Sequence, residues 1–253
     1  MTMLEWVKGI FGSPKKKGPP KDQSPISPFR KEKLLYEFNT FFDINGDGVI
    51  ERCDLEDAAE RLGHRHGWPD CDERLVQVQK SMRNLWVALQ SHVDVDHNNK
   101  VTRNEWVSMW EEVERKSMRR ESVLTNAFLV PSSESHTGQF YPVWITEYFA
   151  YKYSLLDAAG DGTLDEEEYT YVMTQHGATE AQAKKAWVLF SQGQRSISPE
   201  QFNCLCEQFL LSDDPNDPGT YLAAKLYFLP GQEPDKDPQP SPNETELNCD
   251  NDT

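Results

Sequence analysis

The chain has 253 residues, with 26 Lys and Arg against 42 Asp and Glu, and a formal net charge of −16 at pH 7. Such acidity excludes a dedicated nucleic-acid binder, whose surface is basic, and suits cations or basic partners. With 37% hydrophobic residues, including 7 Trp, 9 Tyr and 12 Phe, the chain can build a core and is not wholly disordered, while no run approaches the ~18 apolar residues of a membrane span.

Residues 1–28 read as a flexible basic leader. Residues 1–33 carry a net charge of +5, and Gly18 to Pro28 holds four of the sixteen prolines, so little apolar surface can be buried there. Glu5 and Lys8 interrupt the apolar residues of Met1 to Phe11, which leaves no continuous signal-peptide core. Leu4, Trp6, Val7, Ile10 and Phe11 beside Lys15, Lys16 and Lys17 suit weak contact with an anionic membrane. The duller reading is a solvated leader. Thr2 excludes N-myristoylation.

From Leu34 onward the apolar spacing is helical. Leu34, Leu35, Phe38, Phe41 and Phe42 recur at three- and four-residue steps, as do Leu75, Val78, Met82, Leu85, Trp86, Leu89 and Val93. Trp106, Met109, Trp110 and Val113 continue the pattern, followed by Trp144, Phe149, Leu155 and Leu156, and then by Trp187, Phe190, Phe202, Leu205, Phe209 and Leu210. These stripes predict amphipathic helices and no β-sheet of any length. Trp86, Trp106, Trp110 and Trp187 are expected in the core, and His64, Arg65 and His66 in a solvated turn.

Short acidic loops separate the helices, and three of them span twelve residues: Asp43 to Asp54, Asp94 to Glu105 and Asp157 to Glu168. A hard cation such as calcium takes six to eight oxygens at about 2.3–2.6 Å. Side chains at positions one, three and five supply some of these, a carbonyl at seven another, and a carboxylate at twelve closes the site. The first loop offers Asp43, Asn45, Asp47, the Val49 carbonyl and Asp54. The second offers Asp94, Asp96, Asn98, the Lys100 carbonyl and Glu105, with the Lys100 ammonium expected to point outward. The third offers Asp157, Asp161, the Thr163 carbonyl and Glu168. Ala159 leaves its third position empty, and Asp165 at position nine is placed to bind directly.

Position six needs a left-handed backbone, supplied by Gly48, Asn99 and Gly162. Position eight is apolar in each loop (Ile50, Val101, Leu164) and is expected to pair with a partner loop across a short antiparallel bridge. Three such loops, each entered by an apolar helix, constitute an EF-hand signature, and solvated acidic turns explain them poorly. Asp54, a methylene shorter than the usual Glu, predicts weaker discrimination against magnesium at the first site.

A fourth unit is expected from Thr179 to Phe190 and from Pro199 to Leu211, around Ser191 to Ser198. Ile197 takes the position-eight role there. No Asp or Glu lies between Phe190 and Pro199 and Arg195 is cationic, so this loop is expected to hold no calcium. Residues 230–253 form an acidic, proline-rich tail expected to be disordered. Its Asn243 and Asn251 sequons are expected to be chance matches. The five cysteines are scattered, which predicts neither a disulfide framework nor a zinc site.

Phe38 to Asp43, Gly48 to Glu51, Glu105-Trp106 with Met109-Trp110, the Asp-ended first loop and the apolar segment Tyr221 to Phe228 together resemble the invertebrate sarcoplasmic calcium-binding proteins, and among them calexcitin. The likeness covers about residues 29–229. It implies an all-α body of two EF-hand pairs facing each other, with the C-terminal segment folded back between them. The resulting division is a leader at 1–28, a first pair at 29–115, a linker at 116–141, a second pair with its C-terminal segment at 142–229, and a tail at 230–253.

The function expected from these readings is cytoplasmic calcium binding at three sites, with magnesium competing most at the first. Either a buffer or a sensor acting on a target protein is compatible with them. No nucleophile set or phosphate loop suggests an enzyme. The alternative is an EF-hand photoprotein enclosing an organic luciferin, but such proteins typically have a dead second loop and a live fourth, the reverse of this chain.

Overall fold

A computed structural model describes residues 24–119, 129–131 and 140–229. The expected membrane-contacting residues of the leader, most of the linker and the whole acidic tail with its sequons lie outside the described residues. Helix α1 (Pro28–Glu37) starts where Ser27 accepts the Arg30 amide at 3.1 Å and Pro28 presets the first turn. It runs into a π-helical turn, Phe38–Phe42, in which the Asp43 amide reaches back to the Phe38 carbonyl. This wider turn buries Phe38, Phe41 and Phe42 together and delivers the chain to Asp43.

The elements that follow are β1 (Val49–Ile50), α2 (Arg52–Arg65), α3 (Glu73–His92), β2 (Val101–Thr102) and α4 (Arg103–Arg119). After β3 (Leu129–Pro131) and β4 (Phe140–Pro142) come α5 (Ile145–Leu156), β5 (Leu164–Asp165), α6 (Glu166–Gln175), α7 (Glu180–Ser191), β6 (Ser196–Ile197) and α8 (Pro199–Leu211). The protein is thus mostly helical, with small antiparallel bridges. Thr179 proves to be the N-cap of α7 rather than its first residue, because its hydroxyl accepts the Gln182 amide.

The β bridges form where position eight of each loop placed them. Ile50 faces Val101 and Leu164 faces Ile197, and all four side chains are buried. An antiparallel pairing of β3 with β4, three residues per strand, was not anticipated from the sequence; so short a pairing leaves no periodic signal.

Phe42 packs centrally, its ring 4.5 Å from Tyr148, 4.9 Å from Trp106 and 6.2 Å from Trp144. The Trp106 indole donates to the Leu34 carbonyl at 3.0 Å. Trp86, Trp106, Trp110 and Trp187 are all buried, as expected of core residues. The segment after α8 turns at a 3-10 helix (Pro218–Tyr221) and inserts between α1 and the last three helices. The Tyr169 hydroxyl donates to the Leu222 carbonyl and the Tyr36 hydroxyl to that of Ala223, while Phe228 meets Phe29, Tyr36 and Phe209 edge-on. Gly219 is required for this fit, since a Cβ there would lie 2.3 Å from the Leu205 carbonyl oxygen.

The two halves meet through polar contacts as well as aromatic rings. Glu37 on α1 accepts from both Lys152 and Tyr148 on α5, and all three residues are buried. At the end of α2, Arg65 and His66 reach the Leu155 and Ser154 carbonyls at the end of α5. His66 also stacks on Trp68. Of the expected solvated turn, only His64 is strongly exposed (73%); its neighbours join the halves.

Candidate metal centres

The three acidic loops share one scheme of hydrogen bonds. At position one, Asp43, Asp94 and Asp157 are buried, and each folds the loop around its carboxylate. One oxygen takes the position-five amide and the other the position-six amide: Asp47 and Gly48 on Asp43, Asn98 and Asn99 on Asp94, Asp161 and Gly162 on Asp157. At position five, Asp47, Asn98 and Asp161 accept the amides of Val49, Lys100 and Thr163.

At position twelve, Asp54, Glu105 and Glu168 each span the loop. One oxygen takes an early amide (Asn45, Val95 and Ala159) and the other takes position nine (Glu51, Thr102 and Asp165). Asp54 thus bridges both sides of its loop despite its shorter stem.

The backbone is left-handed at position six in all three loops, with φ of 91° at Gly48, 63° at Asn99 and 85° at Gly162. It is also left-handed at position four, at Gly46, His97 and Gly160. The two glycines were the available sequence signal for that second reversal.

Among the described residues, one group of three acidic or metal-ligating side chains gathers its ligand atoms within 4.8 Å: Asp94, Asp96 and Glu105. The first loop has an amide, Asn45, at position three, and the third has Ala159, so each has fewer carboxylates to converge. At position three, Asn45 and Asp96 accept the Asp47 and Asn98 amides. Asp165 caps α6 by accepting the Glu168 amide at 2.9 Å.

Electrostatics follow the crowding. Burial holds the carboxyls of Asp54 and Glu168 above their usual range, against the pull of the amides that bond them. The Thr163 amide and hydroxyl hold Asp161 below it. The Lys100 ammonium, expected to point outward, instead turns to the partner loop and pairs with Glu51 at 3.0 Å. Opposite charge explains this: Lys100 and Glu51 flank paired strands.

The fourth loop keeps the frame without the charges. Gln201 stands where position twelve would be and accepts the Ser198 amide, while its own amide donates to Gln194 at 2.9 Å. Phe190 occupies position one and is buried. A side-chain amide contact therefore spans this loop. Tyr153 ties the two loops of this half together, its hydroxyl lying 2.9 Å from the Gly162 carbonyl and 3.0 Å from that of Ile197.

No family model matches the chain. Calexcitin-1 of Caenorhabditis elegans is 23% identical over 213 residues, 82% of this chain and 92% of that protein. Sarcoplasmic calcium-binding proteins II, V, VI and VII of Branchiostoma lanceolatum are 24% identical over 144 residues, 57% of this chain and 68% of theirs. The chain is thus similar in sequence to the sarcoplasmic calcium-binding proteins. The solved structure of such a protein from amphioxus superposes with a TM-score of 0.62 at 21% identity, covering 78% of this chain and 98% of that one. The Ca²⁺-regulated photoprotein mitrocomin from the jellyfish Mitrocoma cellularia reaches 0.52 at 17% identity, covering 79% and 92%. At these identities the two structures share its fold. No described helix is long and apolar enough to cross a membrane.

Proposed function

We propose that this chain is a calcium-binding protein with three EF-hand sites, at Asp43–Asp54, Asp94–Glu105 and Asp157–Glu168, and a fourth loop that takes no ion. The observation that carries this reading is the hydrogen-bond scheme repeated in all three loops, which gathers oxygen-bearing side chains at positions one, five and twelve of each. The Branchiostoma lanceolatum relatives are named as calcium-binding proteins, which supports the same reading. The donor set is all oxygen, the chemistry of a hard cation. Asp43, Asn45, Asp47 and Asp54 would hold the first ion, Asp94, Asp96, Asn98 and Glu105 the second, and Asp157, Asp161, Asp165 and Glu168 the third. The carbonyls of Val49, Lys100 and Thr163 complete the sets.

Of the two roles, the packing favours a buffer that changes shape little. The buried Glu37, Lys152 and Tyr148 cluster and the inserted C-terminal segment hold the halves together, whereas a sensor must part helices to expose a groove. The aromatic rings at the centre pack against one another, which favours a filled core over an enclosed luciferin.

Isothermal titration with calcium tests the reading. Three ions per chain are expected, and Glu105→Gln is expected to remove the second. Fewer than three in the parent protein, or an unchanged count in Glu105→Gln, overturns the assignment. An apolar dye that brightens on calcium addition would replace the buffer with the sensor.

A further inference from the structure

A cation of the second loop lies against the first. Arg103 stands at position ten of the loop Asp94–Glu105, yet its guanidinium reaches across the β1–β2 bridge. Its Nε donates to Asn39 Oδ1 at 2.8 Å, and its ζ-carbon lies 5.6 Å from the centre of the Phe38 ring. A terminal nitrogen sits 3.7 Å from Asp43 Oδ2, the oxygen that also takes the Gly48 amide. The guanidinium passes close over the bare backbone at Gly48, where a Cβ would lie 3.0 Å from it. Asp43 is buried while Arg103 is half-exposed (49%). Among the described residues, neither Asp94 nor Asp157 has a Lys or Arg nitrogen within ion-pair distance.

We propose that Arg103 sets the affinity of the first site, as a built-in counter-cation that partly neutralises Asp43 and opposes a divalent ion there. This rests on the reading of Asp43–Asp54 as a cation site. An ion bound by Asp43 approaches its oxygens to about 2.3–2.6 Å, which brings two positive charges on it close to a third. Its hydrogen bond to Asn39 and its contact with the Phe38 ring limit how far the guanidinium withdraws. Because Arg103 is half in water, the penalty is moderate and screened by salt. The first site is therefore weaker than its donor set alone implies, and the sequence position of Arg103, inside a different loop, conceals the cause.

The test is calcium titration by calorimetry of the full chain, with Asp43→Ala used to assign the first site. In Arg103→Gln, the first site is expected to tighten about three- to tenfold while the other two hold within about twofold of their parent values. The gap between parent and variant is expected to narrow when KCl is raised from 50 mM to about 500 mM, where screening shortens to a few Å. A first site unchanged or weakened in Arg103→Gln, with the parent stoichiometry intact, overturns the role of Arg103 alone. A stoichiometry unaffected by Asp43→Ala removes the first site itself, and the proposal with it.

Discussion

Asp54 closes the first loop with one methylene less than Glu105 or Glu168, and it still bonds the Asn45 and Glu51 amides on opposite sides of the loop. With one methylene less, Asp54 has less reach towards an ion once it holds both amides. A carboxylate so held presents fewer oxygens to a large ion. Calcium loses more by this than magnesium, which accepts six ligands and keeps some of its own water. Asp54→Glu is therefore expected to raise the calcium affinity of the first site and to reduce its loss in a few millimolar magnesium. Titrations with and without magnesium check this, and equal competition in parent and variant would count against it.

At the scale of elements, the loop between α7 and α8 is expected to position the third acidic loop. Ile197 is buried against Leu164 across the β5–β6 bridge, and Tyr153 bonds the backbone of both loops. Ile197→Ala is expected to cost about 2–4 kcal/mol of stability, as for other buried large-to-small changes. It is also expected to weaken the third site, because Leu164 loses the partner that holds its strand. Urea unfolding in EDTA reads the first effect and calcium titration the second; a third site of undiminished affinity would show that β6 does not position it. The loops and the apolar bridge residues were legible in the sequence, because coordination geometry and burial each impose a fixed spacing on a short stretch of chain. Glu37 and Lys152 were not. They lie 115 residues apart, and on their own helices each reads as an ordinary solvated charge. The turn of Lys100 towards Glu51 and the contacts of Arg65 and His66 were hidden in the same way, since they depend on which elements become neighbours.

At the scale of the whole molecule, acid is expected to act at the seam between the halves. The Phe41 ring meets both Lys152, whose Nζ is 4.1 Å from its centre, and His176, whose ring is 5.1 Å away. Burial, and then the charges of Arg65, Lys152 and Arg61, pull the His176 pKa down from 6.5 to about 4. In the unfolded chain, His176 takes up its proton as the pH falls through about 6.5. In the folded chain it waits until about 4. Between these values the unfolded state binds more protons, so folding stability rises with pH across that window and falls as the solution is acidified. The share that His176 contributes is complete above about pH 6.5, and allowing for its partial exposure about 1–2 kcal/mol of it is lost by pH 5. Urea unfolding of the metal-free protein at pH 7 and pH 5 measures the loss. Asp54 and Glu168, raised by burial, act in the opposite sense at lower pH, so the informative quantity is the difference between the parent and His176→Gln. The variant is expected to lose about 1–2 kcal/mol less than the parent between the two pH values, and equal losses would show that the seam is not where acid acts.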